Sequence, residues 1–505
     1  AWSQRLLVIS GSAPKVSLAA DQPAEHLAYH HARAVRVLFI RPKALAMDFI
    51  FYDLETTGIS PAYDQPLQFA AILTDEHFVE KQRVNIRCRL APHILPSPQA
   101  LIVTGVTPGQ LMDPSLPSLF EFSQKVVALT EQWAPAIWVG YNTMKFDEEV
   151  LRQTFYQNLS PSIYATQFNG NTRFDIMTAV YAAYVRDPGL LAWPQDDAGR
   201  RSFKLDRLAP ANGFNGHNAH DALGDVEATI HIARRIADRN PSLWAKLLSN
   251  AHKAEVQVKL ESFKPMELVL RFGGGEPRAY TGVFCGYTQG NNTRAAFFDL
   301  DAADPSELLT ASDEALFAAV DASPKIVRGV STNKAPALLS MAEPSPEHKR
   351  RAAVIAGAPE FRRRVGEAMA ARFVDDPDAP PKPVEELIYG EFYSNAEKNL
   401  LGEFQHADWP RRQEIVASLS DRRLRQLGNR LVAFHSPELL TAEETARFRD
   451  YLRSKWLPAA EEKTQWMTLG RAADELTNIQ EKNGADDAVI QAIREFFADR
   501  RRVLD

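Results

Sequence analysis

Cysteine is scarce in this chain of 505 residues: there are two, Cys88 and Cys285, in segments of different texture. That excludes a disulfide framework and a cysteine-built zinc site, and it fits a reducing compartment. No apolar run reaches the roughly 18 residues of a membrane span, so no membrane partner is expected. Neither sign of charge dominates: 58 Lys and Arg against 64 Asp and Glu leave a net charge of −6, which argues against a wholly basic surface while leaving basic patches open. No internal repeat is evident. What remains is an ordinary soluble composition, 45% hydrophobic and 24% charged, over a length that suggests about three domains.

Residues 1–46 hold short apolar patches ("RLLVIS", "AVRVLFI") without sustained periodicity and lack the long apolar run of a secretory signal. They are expected to be a poorly ordered extension, a translated upstream region with Met47 the natural start. From Met47 the pattern is strand, turn, strand: "FIFYDLE", "LQFAAILTD", then "RVNIRCRL", whose Val84, Ile86, Cys88 and Leu90 alternate as in a half-buried strand. A helix is expected over 118–133, then a buried strand "AIWVGYN", then helices at 147–157, 174–185, 203–210 and 219–237. In the last of these Leu223, Val226, Ile230 and Ala233 mark one face. Strands followed by alternating helices imply an α/β domain with a mixed sheet, here 47–248. Residues 249–374 differ: β-like runs ("VQVKL", "MELVLRF", "RAAFFDL", "KIVRGV") split by Gly-rich turns suggest a small barrel or sandwich, with an Arg-rich helical extension over 346–373. "DDPDAPPKP", 375–383, reads as a linker because proline cannot continue a helix, and 384–505 is helical almost throughout.

The chemistry starts at "FIFYDLETTG", residues 49–58. In a strand alternate side chains share a face, so Asp53 and Glu55 lie side by side while Leu54 takes the other face. Adjacent carboxylates raise one another's pKa unless a cation lies between them. The pair is therefore either two ligands of a hard metal ion or the polar end of a strand meeting solvent. "VGYNTMKFDEEV" places Asp147 at the first turn of a helix, and "NAHDALGDVEATI" places His220, Asp221 and Asp225 at the start of another, with Asp225 beside the buried stripe. Singly, such residues are often no more than helix-dipole partners or solvated loop residues. Their joint occurrence after an Asp-x-Glu strand end favours the metal.

In this order the motifs resemble the DEDDh class of 3′→5′ exonucleases. More narrowly, "DLETTG", "QFAAILTD", "IVTGVTPGQL", "GYNTMKFDEEVLRQTFY", "NTRFD", "SFKLDRLAPANG" and "NAHDALGDVEATI", with "FFDLD", "PSELL", "VSTNKAP" and "LIYGEFYS" beyond them, resemble bacterial exonuclease I from Met47 onward. The resemblance implies a ribonuclease-H-like nuclease domain, a Src-homology-3-like barrel and a helical C-terminal domain, in a cytoplasmic monomer that acts in DNA repair and recombination. Its expected reaction is removal of 5′-mononucleotides from the 3′ end of single-stranded DNA with two Mg²⁺ ions, for which Mn²⁺ can substitute. Two divalent ions supply a nucleophilic hydroxide and a counter-charge for phosphodiester hydrolysis. Asp53 is expected to bridge them, Glu55 and Asp225 to hold the first, and Asp147 to reach the second through water. His220 is suited to take the proton of the attacking water, and Asp221 is expected to cap its helix.

By the same resemblance Glu55, Arg152, Lys204, Arg328, Asn333, Tyr389 and Phe392 bind the strand. Aromatic faces accept any base, and cations track phosphates. Lys204 stands where the family usually has Arg, which keeps the charge but loses the bidentate fork. The acidic C-terminal tail of single-stranded DNA-binding protein is an expected partner, with Arg186 a contact. The rival expectations are a DEDDh exoribonuclease or proofreading subunit, which has no need of the 250-odd residues after the nuclease domain, and a non-catalytic single-strand-binding scaffold, which has no need of all five catalytic residues.

Overall fold

A computed structural model of the chain describes residues 47–216, 221–372, 380–459, 463–483 and 487–504. The expected extension 1–46, residues 375–379 of the expected linker and His220 lie outside the described residues.

Five strands make the first sheet: β1 (Asp48–Thr56), β2 (Pro66–Thr74), β3 (Glu80–Arg87), β4 (Ala136–Gly140) and β5 (Thr172–Asp175), in the order β3-β2-β1-β4-β5. The three strands joined by short turns run antiparallel, and β1, β4 and β5, joined through helices, run parallel. The expected mixed sheet is therefore present. β3 stops at Arg87, so Cys88 and Leu90, read from the sequence as strand positions, are buried in the loop after it instead.

β1 is central and covered on both sides. Phe49 and Phe51 enter a core with the helices Ile176–Arg186 and Ala222–Arg239, while Ile50, Tyr52 and Leu54 enter a second core with the helices Leu119–Gln132 and Asp147–Gln157. The second core also contains Val384, Ile388, Leu401, Phe404 and Leu427. The C-terminal helices thus cover one face of the first sheet itself, and Ala46–Asp505 pack as one unit.

A second sheet, β6 (Met266–Leu270), β7 (Arg278–Thr288), β8 (Asn291–Asp299), β9 (Val327–Ser331) and β10 (Leu338–Ser340), is antiparallel in the order β10-β6-β7-β8-β9. The run "VQVKL", expected as a strand, is instead part of a helix, Lys253–Glu261. Its alternating Val256, Val258 and Leu260 mimic period two, but Val256 and Leu260, one helical turn apart, are buried while Val258 is 67% exposed. The Arg-rich region forms the helices Pro346–Ala356 and Pro359–Ala371, and helices follow from Asn395 to Arg502, as expected. Among the described residues no helix is long and apolar enough to cross a membrane.

Candidate active site

The last paired residue of β1 against β4 is Phe51, while pairing with β2 continues to Thr56, so β1 runs on past the parallel ladder. Asp53 and Glu55 sit on this overhang. They continue the face of Phe49 and Phe51, the side covered by the Ala222–Arg239 helix, whose first turn carries Asp225. Strand alternation and helix packing together bring Asp53, Glu55 and Asp225 to one point: a carboxylate oxygen of each lies within 4.8 Å of the others.

Asp147 arrives from the opposite side of the sheet. β4 ends at Gly140, where a Cβ would lie 2.0 Å from the Thr143 side chain, so only glycine lets the chain fold back at once. Asn142 follows in the left-handed region at φ 67°, a conformation that asparagine tolerates well. Asp175, at the end of β5, fastens this loop by accepting the backbone N–H of Asn142 at 2.9 Å and of Met144 at 3.3 Å. The loop delivers Asp147, 6% exposed, to the N-terminus of its helix, where the nearby backbone N–H of Leu54, between Asp53 and Glu55, favours its charged form.

Crowding at this sheet end disfavours ionisation of Asp53, Glu55 and Asp147. Burial, then the charges of Asp147, Asp225 and Glu55, hold Asp53 well above the usual carboxylate range. Burial, then Asp225 and Asp147, push Glu55 up to about 8, and burial pushes Asp147 up to about 7. A donor set made only of carboxylate oxygens fits a hard divalent cation, which relieves this repulsion. Raised pKa values make a testable statement about stability. Between the ordinary Glu value near 4.5 and about 8, the folded metal-free protein binds more protons at Glu55 than the unfolded chain does, so this group's contribution is lost as pH rises through that window. We expect the gain in melting temperature on adding Mg²⁺ or Mn²⁺ to be larger at pH 8 than at pH 6. Scanning fluorimetry on metal-stripped protein checks this; equal gains would contradict it.

Asp221 does not do what the sequence suggested. It occupies the N-cap position but makes no side-chain cap bond; Oδ1 instead accepts the Gln68 side-chain amide from β2 at 2.8 Å. The same amide donates to Asn85 at 2.9 Å, so Asp221 pins the helix start to the sheet beside Glu55, whose strand partner is Gln68.

Glu148 is a structural residue of the site that sequence reasoning missed. Beside Asp147 in an acidic first turn it looks like a helix-dipole residue, yet it is buried, accepting Arg173 at 2.8 Å, Thr166 at 2.7 Å, Arg152 at 3.2 Å and Tyr52 at 3.3 Å. Burial alone would raise its pKa, but Arg173 and Arg152 outweigh that and keep it lowered. The one available signal was Arg173 in "NTRFD", a cation on a short buried strand that needs a buried anion.

The expected strand-binding residues are placed unevenly. Tyr389 and Phe392 are not core residues: they are 53% and 92% exposed and, with Ile163, Tyr164, Phe168 and Tyr393, line a groove of about 550 Å³. Arg152 is not on an open helix face; it is buried, held by Glu148 and Glu149 and by the Tyr389 hydroxyl at 3.2 Å. Arg328 pairs with Asp299 at 3.0 Å and lies 3.6 Å from the Tyr280 ring centroid, and the Asn333 carbonyl accepts Arg173 at 2.9 Å. Lys204 is exposed at the start of the Leu205–Ala211 helix. Arg186 pairs with Glu267 at 2.7 Å.

Comparison with known proteins identifies the family and the fold. An exonuclease family model matches residues 50–233, and an exonuclease I C-terminal domain model matches residues 382–500. Exodeoxyribonuclease I of Haemophilus influenzae is 30% identical over 440 residues, 81% of this chain and 90% of that protein. Escherichia coli exonuclease I in complex with a dA16 oligonucleotide superposes with a TM-score of 0.74 at 27% identity, covering 91% of this chain and 100% of that one. An SSB/exonuclease I structure with an inhibitor gives 0.75 at 26% identity over 90% and 100%. The first sheet and its helices therefore have a ribonuclease-H-like exonuclease fold, followed by a helical C-terminal region.

Proposed function

This chain belongs to the exonuclease I family and is an exodeoxyribonuclease, and on that premise we propose that it removes 5′-mononucleotides from the 3′ end of single-stranded DNA with two Mg²⁺ ions. One observation carries the proposal: Asp53, Glu55 and Asp225, from a strand and a helix distant in sequence, converge within 4.8 Å at the end of β1. Glu55 and Asp225 would hold one ion, Asp53 both, and Asp147 the second through water. Ions held by these residues would supply an activated water and a counter-charge for the phosphoryl transition state. The protein's own part is to fix the carboxylates on rigid elements before substrate arrives, so that little reorganisation is needed during reaction. His220, the residue before Asp221, is the group assigned to take the proton from the attacking water.

The same proposal gives the strand a path. Lys204 meets a phosphate near the terminal nucleotide, Tyr389 and Phe392 offer stacking faces, and Arg152, Arg328 and Asn333 line the way. Exposure of both aromatics supports this, because base stacking is sequence-tolerant. We read the second sheet as the Src-homology-3-like domain of 249–374, between a nuclease domain 47–248 and a helical domain 384–505. A cytoplasmic monomer acting in repair and recombination, with the tail of single-stranded DNA-binding protein docking near Arg186, completes the proposal.

Single-stranded DNA labelled at its 5′ end, incubated with Mg²⁺ or EDTA beside an RNA of the same sequence and a duplex, tests it. The expected result is stepwise shortening of the single-stranded DNA alone, from its 3′ end, abolished by EDTA. Preference for RNA would favour an exoribonuclease, and binding without shortening a scaffold.

A further inference from the structure

Glu149 follows Glu148 on the same helix and shares Arg152 with it, but is 24% exposed where Glu148 is 1%, and it is the meeting point of three regions of the chain. Its Oε1 accepts Arg152 Nη1 at 3.0 Å and lies 3.5 Å from Lys334 Nζ, which comes from the turn after β9. Its Oε2 accepts the hydroxyl of Tyr389, from the segment before the C-terminal helices. Arg152 Nη1 also donates to that hydroxyl at 3.2 Å, and Lys334 reaches the Met144 carbonyl at 3.3 Å, in the loop that carries Asp147. One carboxylate thus gathers two cations and an aromatic side chain whose ring is half exposed, the combination that suits a single strand, within two residues of Asp147. Charge-assisted bonds to a partly buried carboxylate are strong enough to hold such groups in place.

We infer that Glu149 is a positioning residue for the DNA strand: it ties Lys334 and Tyr389 to the active-site helix and so keeps the strand path closed between successive cuts. This rests on the exonuclease function proposed above. Without the tie, Tyr389 loses the acceptor that orients its ring, and Lys334 loses the anion that draws the second sheet toward the helix. Chemistry at the metal ligands does not use Glu149. The effect belongs in how long the strand is retained, through the effective concentration of the next phosphate at the site.

The full chain, as wild type, Glu149→Gln, Glu149→Ala, Tyr389→Phe and the double variant Glu149→Gln/Tyr389→Phe, would be compared on a long 5′-labelled single strand with a heparin trap added at the start of reaction. Nucleotides removed per encounter are read, with kcat, KM and melting temperature. The expected result is runs shortened at least about fivefold and KM raised in Glu149→Ala. At saturation kcat should stay within about threefold of wild type. Glu149→Gln, which keeps an acceptor for Tyr389, should fall between, and the double variant should be no worse than the harsher single. Unchanged runs in Glu149→Gln and Glu149→Ala, or losses in the double variant that multiply, would overturn the inference. Should Glu149→Ala fail to fold, the near-isosteric Glu149→Gln, Tyr389→Phe and their double variant decide: shortened, non-multiplying runs support the tie and unchanged runs overturn it. A wild type that shortens no DNA would sink the proposed function instead, a result distinguishable from either.

Discussion

Asp53→Asn should lower turnover of single-stranded DNA by on the order of 10³-fold or more, about 4 kcal/mol of transition-state stabilisation, while DNA binding persists. Asn matches Asp in shape, so the strand, its pairing with Ala70 and the covering helix have no reason to move. What is lost is a charge in the carboxylate cluster proposed to hold the metal. The same substitution should raise the melting temperature of metal-free protein at pH 8. In the wild type, burial and then Asp147, Asp225 and Glu55 oppose ionisation of Asp53, so a neutral side chain there removes a cost that the metal-free protein otherwise meets by repulsion or by taking up a proton. Activity and stability would then move in opposite directions, as they do where a site is held in an unfavourable state for function. Activity assays with Mg²⁺ and thermal melts in EDTA check both halves; a variant that is inactive but also less stable would point to misfolding rather than lost metal binding.

Glu148→Gln should destabilise the fold by about 3–5 kcal/mol, the range for removing one partner of a buried ion pair. The side chains of Glu148, Arg173 and Arg152 are 1%, 2% and 7% exposed, so neither cation can turn to water when the charge goes. Gln keeps an acceptor for Thr166 or Arg173 but not for all the donors that converge on Oε1. Since the folded-state pKa of Glu148 is lowered, its contribution is present above the ordinary Glu value near 4.5 and lost as pH falls through the folded value. The difference between wild type and variant should therefore shrink in acid. Denaturant titrations at pH 7 and pH 4 read both effects. Glu149→Gln, at a carboxylate 24% exposed, serves as the milder control. Arg173 also holds the Asn333 carbonyl, so its release should loosen the turn after β9 as well.

Local chemistry is what made much of the fold legible. Helix Asp147–Gln157 has the expected limits, because its acidic first turn and apolar spacing are properties of adjacent residues. The "VQVKL" run was misread because four or five residues with alternating valines satisfy both periods, and only burial separated them. Asp221 was misjudged for a different reason. A cap is a local bond, whereas its partner Gln68 lies 153 residues away, where no spacing rule reaches.

By itself the sequence determined which groups this protein can use: the Asp-x-Glu pair, the loop that carries Asp147, Asp225 beside a buried stripe, and an α/β region followed by β-rich and helical ones. Alternation and helical period decide which face a side chain takes, and faces are inherited from near neighbours. Tertiary structure alone decided what those groups meet. It turned Glu148 inward to Arg173 and Glu149 outward to Lys334 and Tyr389, with Arg152 shared between them, although the two carboxylates are adjacent and chemically identical. It also laid the C-terminal helices over the nuclease sheet, since the apolar face of Ile50, Tyr52 and Leu54 needs a cover and a chain can bring one from hundreds of residues away.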